Sequence, residues 1–495
     1  MNEFLRINQN DNVVVALKSL PAGKTLDVDG NQLTLLEDIK AGHKIALTEI
    51  KKSENVIKYG YPIGNAIMDI KKGAWVHTHN IQTNLSEKLE YTYSPKFHDI
   101  NTINGPKSFR GFRRKNGEVG VRNELWIVPT VGCVNGIADI IINEFKAEVG
   151  DLKIDHVGVF KHNYGCSQLG DDLHNTRKIL ADLVKHPNAG GILVLGLGCE
   201  NNTMDSFKEV LGEIDEERVK FLVTQQVGDE VEIGKNLLKE IYEVMKKDVR
   251  EEVPISELRV GLKCGGSDGF SGITANPLIG KFSDYLVSNG GTTILTEVPE
   301  MFGAETILMG RAKDEATFED VVHLINNFKD YFEQYNQPIY ENPSPGNKEG
   351  GISTLEEKSL GCTQKGGHSK VSGVLGYGDR LQHNGFHLLQ APGNDLVSTT
   401  ALGSAGCQLV LFSTGRGTPF GSLVPTIKIA TNDNIFKKKP RWMDFNAGQL
   451  LDDKPMDELC AEFFEYIVSV ANGELTNNEK NGIHEMAIFK DGVTE

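Results

Sequence analysis

A chain of 495 residues is too long for one ordinary hydrophobic core, so we expect about two to four domains. Its 24% charged residues are typical of a soluble globular protein, and its net charge of −16 argues against nucleic-acid or anionic-membrane partners. The sequence has no apolar run of about 18 residues and no basic start before an apolar run, so neither a membrane span nor a signal peptide is predicted. Seven cysteines, an odd number, indicate reduced thiols in a cytoplasmic protein.

The first predicted unit, residues 1–95, is a small module of β-strands. Short apolar runs alternate with Gly- and Pro-containing turns, which predicts strands at 13–17, 32–36 and 44–48. The module ends near His77 and His79, two residues apart, whose side chains would leave one strand by the same face. This spacing is typical either of metal ligands or substrate contacts, or of a solvent-facing pair at a strand end.

After a polar connector, strands and helices alternate in a second predicted domain, residues 105–248. We predict strands at 125–131, 156–160, 192–196 and 219–223, and helices at 137–149, 172–186, 204–211 and 230–245. This alternation predicts βαβ units and a mainly parallel sheet. The arginines at its start could meet a substrate carboxylate, but such a group is more often a solvated face: Arg110, Arg113, Arg114 and Arg122. The charged segment 246–252 is predicted to be a hinge.

The third predicted domain, residues 255–495, opens with a strand at 258–262 and the loop K-C-G-G-S-D-G-F-S-G-I-T-A-N-P at 263–277. Glycines let a backbone approach a ligand closely, and open α/β sheets bind ligands in loops between strand and helix. A glycine-rich surface turn would not explain so many functional groups. We therefore predict substrate contacts from Ser267, Asp268, Ser271, Thr274 and Asn276.

Two further glycine-rich stretches follow in this domain. The segment L-G-C-T-Q-K-G-G-H at 360–368 carries Lys365 and His368 and is predicted to be a loop. After a strand at 408–412, the segment S-T-G-R-G-T-P-F-G carries Arg416, a further candidate substrate contact.

Several predicted strands end close to a cysteine that adjoins glycine: Cys133, Cys166, Cys199 and Cys264. Parallel strands share one carboxyl edge, so several thiols could converge there. The alternative is that these cysteines pack as small hydrophobic residues. CxxC and CxxxxC spacings are missing, so neither a local zinc finger nor a ferredoxin-type cluster is predicted. The sequence also lacks the glycine signatures of NAD and ATP sites.

These motifs together resemble the altronate/galactarate dehydratase family. The resemblance rests on T-V-G-C near 130, H-N-Y-G-C at 162–166, L-G-L-G-C-E-N at 195–201, the loop at 263–277, T-E-V-P-E-M-F-G-A-E at 296–305 and F-S-T-G-R-G-T-P-F-G at 412–421. The N-terminal block is similar to the SAF (β-clip) module of that family and closes on V-H-T-H-N at 76–80. The resemblance implies a multidomain α/β fold, in which the β-clip module precedes two α/β domains with mainly parallel sheets.

The resemblance also implies a function in carbohydrate metabolism, within hexuronate catabolism. The expected enzyme is an iron(II)-dependent hydro-lyase, with Mn²⁺ as an alternative metal, that converts D-altronate to 2-keto-3-deoxy-D-gluconate and water. Length and the single-chain arrangement are closer to altronate dehydratase than to galactarate dehydratase. Galactarate or another aldonic or aldaric acid is the alternative substrate, and a non-catalytic sugar-acid-binding protein is the alternative of another class. The fused SAF module argues against the two-subunit sulfolactate lyases of the family.

Candidate residues can be assigned to metal binding and to catalysis, although the resemblance does not fix these roles. His77 and His79 are the first choice for metal ligands, with Cys133, Cys166 and Cys199 as the alternative. His162 or His368 could be the general base, and Lys365 is a further catalytic candidate. The expected partner is a small sugar acid, with no nucleic acid and no membrane. The sequence leaves open the substrate's stereochemistry and whether the chain forms a homo-oligomer.

Overall fold

The computed structural model describes residues 3–85, 88–100 and 104–495. Positions 1–2 and 86–87 of the predicted β module, and 101–103 of the polar connector, lie outside the described residues. The prediction of a multidomain α/β chain with an N-terminal β module is confirmed. Within the described ranges, every helix is too short or too polar to cross a bilayer.

The N-terminal module consists of short antiparallel strands around two small apolar cores. Its strands are β1 Phe4–Leu5, β2 Val13–Ala16, β3 Thr25–Val28, β4 Asn31–Thr34, β5 Lys44–Ala46, β6 Asn55–Lys58, β7 Tyr61–Ala66, β8 Trp75–Val76 and β9 Ile81–Gln82. They form a sheet in the order β1-β2-β5-β8, a second in the order β6-β7-β9, and the hairpin β3-β4. Alternating burial along β3, with Leu26 and Val28 inside, shows the period of two expected of a half-buried strand.

The second domain contains a parallel sheet in the order β13-β12-β14-β15 with helices on both faces. Its elements are β12 Glu124–Pro129, α1 Asn135–Val149, β13 His156–Val159, α2 Gly170–Val184, β14 Ala189–Gly196, α3 Met204–Leu211, β15 Val219–Val223 and α4 Glu230–Met245. Helices α1 and α4 pack on one face and α2 and α3 on the other. The central strand β12 is buried along its whole length, as a strand covered on both faces requires.

A small antiparallel sheet joins the second and third domains, with strands at the predicted start of the second domain and at the predicted hinge. It consists of β10 Ser108–Arg113, β11 Val119–Gly120 and β16 Glu251–Pro254. Strand β16 pairs with β10, so the predicted hinge at 246–252 is wrong at its end. The sequence of this segment is typical of a linker because Glu251 and Glu252 face solvent and only Val253 points inward.

The third domain contains a parallel sheet in the order β19-β20-β18-β17-β21-β22-β23. Its elements are β17 Arg259–Cys264, α5 Ala275–Ser288, β18 Thr292–Leu295, α6 Glu305–Met309, α7 Glu315–Gln334, α8 Pro345–Glu349, α9 Leu355–Cys362, β19 Val371–Leu375, β20 Gly385–Leu389, α10 Asp395–Ser404, β21 Leu409–Thr414, β22 Thr426–Ala430, α11 Asp433–Lys438, β23 Phe445–Asn446, α12 Met456–Ala471 and α13 Asn477–Lys480. Strand order reverses between β17 and β21, and a crevice for ligands forms at such a reversal.

The glycine-rich stretch at 360–368 is helical at its start, which corrects the predicted loop. Helix α9 continues to Cys362, and a 3₁₀ turn follows over Thr363–Gly366. The side chain of Thr354 caps the helix by accepting from the backbone N–H of Glu357. Gly272 allows close packing against this helix, because a Cβ at Gly272 would lie 2.8 Å from the Cα of Gly361.

Candidate functional site

Seven buried ionisable side chains meet beyond the carboxyl ends of β17 and β18, beside the reversal of strand order. We name them the charged cluster: Lys263, Cys264, Glu297, Glu300, Lys358, Cys362 and Lys365. Strand β17 supplies the first two, and the segment after β18 supplies both glutamates. Helix α9 and the 3₁₀ turn after it supply the rest.

The ammonium groups and carboxylates of the charged cluster pair directly. Lys365 Nζ lies 3.0 Å from Glu297 Oε2, and Lys358 Nζ lies 2.8 Å from Glu300 Oε1. Lys263 also binds Glu297. The half-buried Asp395 carboxylate lies 3.0 Å from Lys263 Nζ, so three cations face three carboxylates. Such pairing is required for charges removed from water.

In these groups, burial and the neighbouring charges shift the pKa in opposite directions. Burial alone would raise the pKa of Glu300, but the nearby ammonium groups outweigh it and hold the pKa below its usual value. Burial alone would lower the pKa of Lys365, but the Cys264 sulfur and the Glu297 carboxylate raise it well above its usual value. The raised pKa favours the charged ammonium form of Lys365, which can stabilise negative charge or donate a proton.

The two thiols and one carboxylate of the cluster form a group that could hold a metal ion. The sulfurs of Cys264 and Cys362 are 3.3 Å apart, and Glu300 Oε2 lies 3.4 Å and 3.1 Å from them. Among the described residues, only this group brings three ligand atoms within 4.8 Å of one another. However, Lys365 Nζ lies 2.7 Å from Cys264 Sγ, so an ammonium already occupies one side of it.

Glu297 has a left-handed backbone conformation, with φ of 69° and ψ of 58°. This region is unfavourable for residues other than glycine, and such strain persists only where the surroundings hold it. Its side chain accepts from the backbone N–H of Cys264 and from both Lys263 and Lys365. The charged cluster thus fixes the strained residue.

Helix α9 also binds the N-terminal module through buried ion pairs. The Glu357 carboxylate lies between Lys44 and Lys58 of the module, 2.8 Å from each ammonium nitrogen. The backbone N–H of Ser353 donates to the same carboxylate at 2.8 Å. One glutamate therefore joins the module to the helix that also carries Lys358 of the charged cluster.

The histidine pair lies at the contact between the module and this helix. Strand β8 ends at Val76, and His77 and His79 lie in a turn that the Asn80 side chain stabilises by accepting from the N–H of His77. The predicted strand face is therefore wrong, yet both rings lie against Trp75, at centroid distances of 5.2 and 5.0 Å. His77 Nδ1 is 3.0 Å from Ser353 Oγ, and burial lowers the pKa of His77 to about 3, so the imidazole is neutral. His79 is exposed.

A cleft of about 400 Å³ separates the module from the third domain. Its lining includes His43, Asp268, Glu349 and Arg416, two of which are predicted substrate contacts. The exposed guanidinium of Arg416 binds only the exposed Glu349 carboxylate, at 2.7 Å, within the described part of the chain. A substrate carboxylate could replace that partner, because exposed ion pairs are weak.

The other predicted contacts in the loop after β17 are buried, and most have protein partners. Asp268 accepts from Thr431, Asn432 and Ser271, and burial raises the pKa of Asp268 despite these donors. The remaining partners also lie within the third domain: Thr274 donates to the carbonyl of Thr431, and Asn276 binds Gly361 and Ser413. By contrast, Ser267 Oγ is buried without a hydrogen-bond partner among the described residues, beside a void of about 10 Å³ that Lys358 and Cys362 also line.

The three predicted catalytic residues lie in different surroundings. Lys365 belongs to the charged cluster. His368 is exposed in a cavity of about 700 Å³ between the connector and the third domain, with Nδ1 3.3 Å from Asp284 Oδ2. His162 is buried in the second domain, where Nε2 donates to the Pro129 carbonyl at 2.8 Å and Nδ1 accepts from the N–H of Tyr164. Both nitrogens of His162 are therefore occupied.

The charged cluster contains side chains for which the sequence predicted no role. Glu297 and Glu300 lie in the family motif at 296–305, but no role was predicted for them. The signal that could have identified Lys263 is its position within the apolar strand V-G-L-K-C, where an unpaired lysine would be unfavourable. Its partner Glu297 is 34 residues away, so the pairing itself is invisible in the sequence.

Three family models match successive parts of the chain. They describe the altronate/galactarate dehydratase SAF domain at residues 2–84, the second domain of D-galactarate dehydratase/altronate hydrolase at 111–246, and the C-terminal domain of D-galactarate/altronate dehydratase at 255–494.

Curated relatives match over the full length. An altronate dehydratase of Bacillus subtilis (strain 168) is 58% identical over 496 residues, covering 100% of both chains. An altronate dehydratase of Escherichia coli (strain K12) is 57% identical over 493 residues, covering 99% of this chain and 100% of the relative. A galactarate dehydratase (L-threo-forming) of Escherichia coli (strain K12) is 31% identical over 518 residues, covering 98% of this chain and 96% of the relative.

Proposed function

Because the chain belongs to the altronate/galactarate dehydratase family and is a sugar-acid hydro-lyase, we propose that it converts D-altronate to 2-keto-3-deoxy-D-gluconate and water. The observation that carries this choice is the full-length similarity to proteins named altronate dehydratase, which far exceeds the similarity to the galactarate enzyme. The unpaired state of all seven cysteines agrees with a reducing, cytoplasmic location as part of the same proposal.

The reaction requires a proton acceptor and a proton donor. The C2–H bond breaks, the C3 hydroxyl leaves as water after taking up a proton, and the resulting enol tautomerises to the 2-keto acid. The base must be neutral or anionic at working pH, which suits an imidazole. His368 is our first choice, since its ring is exposed in a cavity and binds the Asp284 carboxylate, which would stabilise the protonated ring.

Lys365 would act as a positive charge rather than as a base. Its ammonium is fully buried and bound to Glu297 and Cys264. In this role it would hold the strained Glu297 in place and stabilise negative charge near the loop of Ser267. Arg416 is the alternative substrate contact, because its cleft shares no lining residue with the cavity of His368. A substrate carboxylate in that cleft would replace Glu349 as its partner.

We propose iron(II) as the metal, with Mn²⁺ as the alternative. When bound, it would act as a Lewis acid toward the substrate carboxylate and hydroxyl. His77 and His79 fit this group in chemistry, because His77 is a neutral imidazole and only its Nδ1 has a partner among the described residues. If iron binds here, His77 and His79 would each supply one imidazole nitrogen to hold it. The group of Cys264, Glu300 and Cys362 is the second candidate.

Keto-acid formation from D-altronate by the purified chain, with and without added iron(II), tests the function. We expect turnover of D-altronate with a higher kcat/KM than for galactarate, and loss of turnover after chelation. Turnover of galactarate at equal or higher kcat/KM would refute the proposed substrate. Undiminished turnover in metal-free protein would refute the metal.

A further inference from the structure

Three exposed cysteines follow three neighbouring parallel strands of the second domain. Cys133, Cys166 and Cys199 come after β12, β13 and β14, which are adjacent in the sheet. All three are exposed, whereas the other four cysteines of the chain are buried. Cysteine is among the most buried residue types, so exposed thiols at one sheet edge are a departure that needs a reason.

A glycine precedes each of these cysteines and lets the loops approach one another. A Cβ at Gly132 would lie 2.6 Å from the carbonyl oxygen of His162, and a Cβ at Gly165 would collide with the carbonyl of Thr130. Gly165 and Gly198 also have positive φ, at 98° and 126°. The Gly-Cys pairs therefore serve a close packing of three loops.

Hydrogen bonds then fix the three loops to one another. The N–H of Gly132 donates to the carbonyl of Tyr164 at 2.9 Å, joining the first loop to the second. The N–H of Asn202 donates to the carbonyl of Gly165 at 2.9 Å, and its side chain donates to the carbonyl of Thr130 at 3.1 Å. The third loop is thereby joined to both others, and the cysteines are carried on one rigid edge.

A buried carboxylate organises the third loop from beneath. Glu200 accepts from the hydroxyl of Thr130 at 2.7 Å and from the N–H of Leu197 at 3.0 Å. Cys133 and Cys166 line a cavity of about 300 Å³ together with Asn163 and Tyr164. Two of the three thiols, those of Cys133 and Cys166, thus face a space that admits a small molecule.

The three sulfurs lie too far apart for one ion to bind all of them. One zinc or iron ion holds sulfur ligands at about 2.3 Å, so three such sulfurs lie within about 4.6 Å of one another. The three exposed cysteines do not meet that limit, since among the described residues only Cys264, Glu300 and Cys362 bring three ligand atoms within 4.8 Å. An iron–sulfur cluster takes thiolate ligands at wider separation.

We propose that Cys133, Cys166 and Cys199 bind a [4Fe–4S] cluster whose fourth iron has no protein ligand and faces the 300 Å³ cavity. The ligands come from three loops rather than from one, which explains why the sequence lacks a CxxC spacing. His162 cannot be the fourth ligand, because both of its ring nitrogens bind backbone groups. An iron without a protein ligand can bind a carboxylate or hydroxyl oxygen of a small acid. The assignment holds whichever sugar acid is the substrate.

Transfer of a preformed cluster under anaerobic conditions tests the proposal. The probe is a synthetic [4Fe–4S] cluster with four small thiolate ligands. Three cysteine sulfurs replace three of these thiolates, and the cysteine protons pass to the departing thiols, so nothing is oxidised or reduced. After gel filtration we expect about four irons and four acid-labile sulfides per full-length chain, with visible cluster absorption.

Serine variants identify the ligands. Cys133→Ser, Cys166→Ser and Cys199→Ser should each retain the cluster at least about tenfold more weakly. Their circular dichroism should be unchanged, because exposed side chains contribute little to stability. Cys362→Ser is the matched control: it removes a thiol from the other candidate metal group and should leave the sulfide content unchanged. One iron without sulfide in the wild-type chain, or full retention in all three serine variants, would overturn the assignment.

The test of the cluster and the test of the proposed function can fail independently. A chain that holds the cluster but does not dehydrate D-altronate refutes the substrate and leaves the cluster standing. A chain that dehydrates D-altronate but takes up no sulfide in the cluster transfer refutes the cluster and leaves the function standing.

Discussion

At the scale of single residues, the buried side chains of the charged cluster are stabilised by the ion pairs between them. Lys263, Lys358 and Lys365 are buried, yet each ammonium lies against a carboxylate. Removing one partner from such a set leaves an uncompensated charge in a poorly solvated interior. The same pair at the surface would contribute little.

Lys365→Met should therefore destabilise the protein strongly. The substitution leaves Glu297 with one ammonium fewer, and loss of one partner of a buried pair costs about 3–5 kcal/mol. Urea unfolding measures the free energy of unfolding. The matched control is Arg416→Met, whose pair with Glu349 is exposed and should change that free energy by about 0–1 kcal/mol. Equal effects in the two variants would contradict the described balance of charge.

The histidine pair gives a second prediction at this scale. His77→Ala combined with His79→Ala should lower iron content and turnover of D-altronate together, turnover by at least about tenfold. Sulfide content should stay at its wild-type level, because the cysteine loops are untouched. Thr78→Ala, an exposed substitution between the two histidines, is the control and should change neither quantity. Wild-type iron content in the double variant would exclude the pair as ligands.

At the scale of elements, helix α9 connects the module to the charged cluster. All eight of its residues are buried. Glu356 accepts from the side chain of Thr83 at 2.9 Å and Glu357 binds the two module lysines, while Lys358 and Cys362 enter the charged cluster. One short helix therefore carries polar contacts on several sides, which explains why it lacks the apolar stripe of an ordinary amphipathic helix.

The pKa of Glu357 predicts a pH dependence for this connection. Burial alone would raise the pKa, but Lys44 and Lys58 outweigh burial and lower it from 4.5 to about 2. Because the folded-state pKa lies below the unfolded one, the carboxylate stabilises the folded chain above pH 4.5, and this contribution is lost as the pH falls toward 2. The difference in unfolding free energy between wild type and Glu357→Gln should be largest near neutrality and shrink with acid. Urea titrations at several pH values measure it, and a difference that does not vary with pH would contradict the pairing.

The sequence predicted the elements that depend on local signals. Helices α3 and α4 have the bounds that the sequence predicted. Each begins after a side chain that caps it, Thr203 and Asp229 respectively. Strand β16 and the end of α9 were missed because their character depends on distant partners: β10 for the first, and Gly272 for the second. Most of the charged cluster could not be predicted for the same reason. Lys365 and Cys264 touch across 101 residues, and no local pattern records that contact.

At the scale of the whole molecule, the N-terminal module shares one set of buried charges with the rest of the chain, which we call the body. Lys44 and Lys58 belong to the module, and Glu357 to the body. The apolar contact is shared too, since Ala304 and Leu360 of the body pack into the core formed by Val56 and its neighbours in the module. The two parts are therefore expected to depend on each other for stability.

Deletion of residues 1–85 should expose this dependence. The truncated body would retain Glu357 without either lysine, so we expect a lower midpoint of thermal unfolding by circular dichroism and no turnover of D-altronate. Glu357→Gln, which destabilises the full chain, should stabilise the truncated body, because it removes a carboxylate that has lost both partners. A substitution that destabilises both chains equally would show that the module does not compensate this charge.

The ion pairs of Glu357 also bear on how the chain is made. Lys44 and Glu357 are 313 residues apart, and a ribosome adds roughly 5–20 residues per second, so the module waits about 15 to 60 s for its partner to be synthesised. Throughout that interval its two lysines can remain hydrated, so neither ammonium is buried without a partner. Final docking must then follow the folding of α9, so a helix made late in synthesis completes the first-made module.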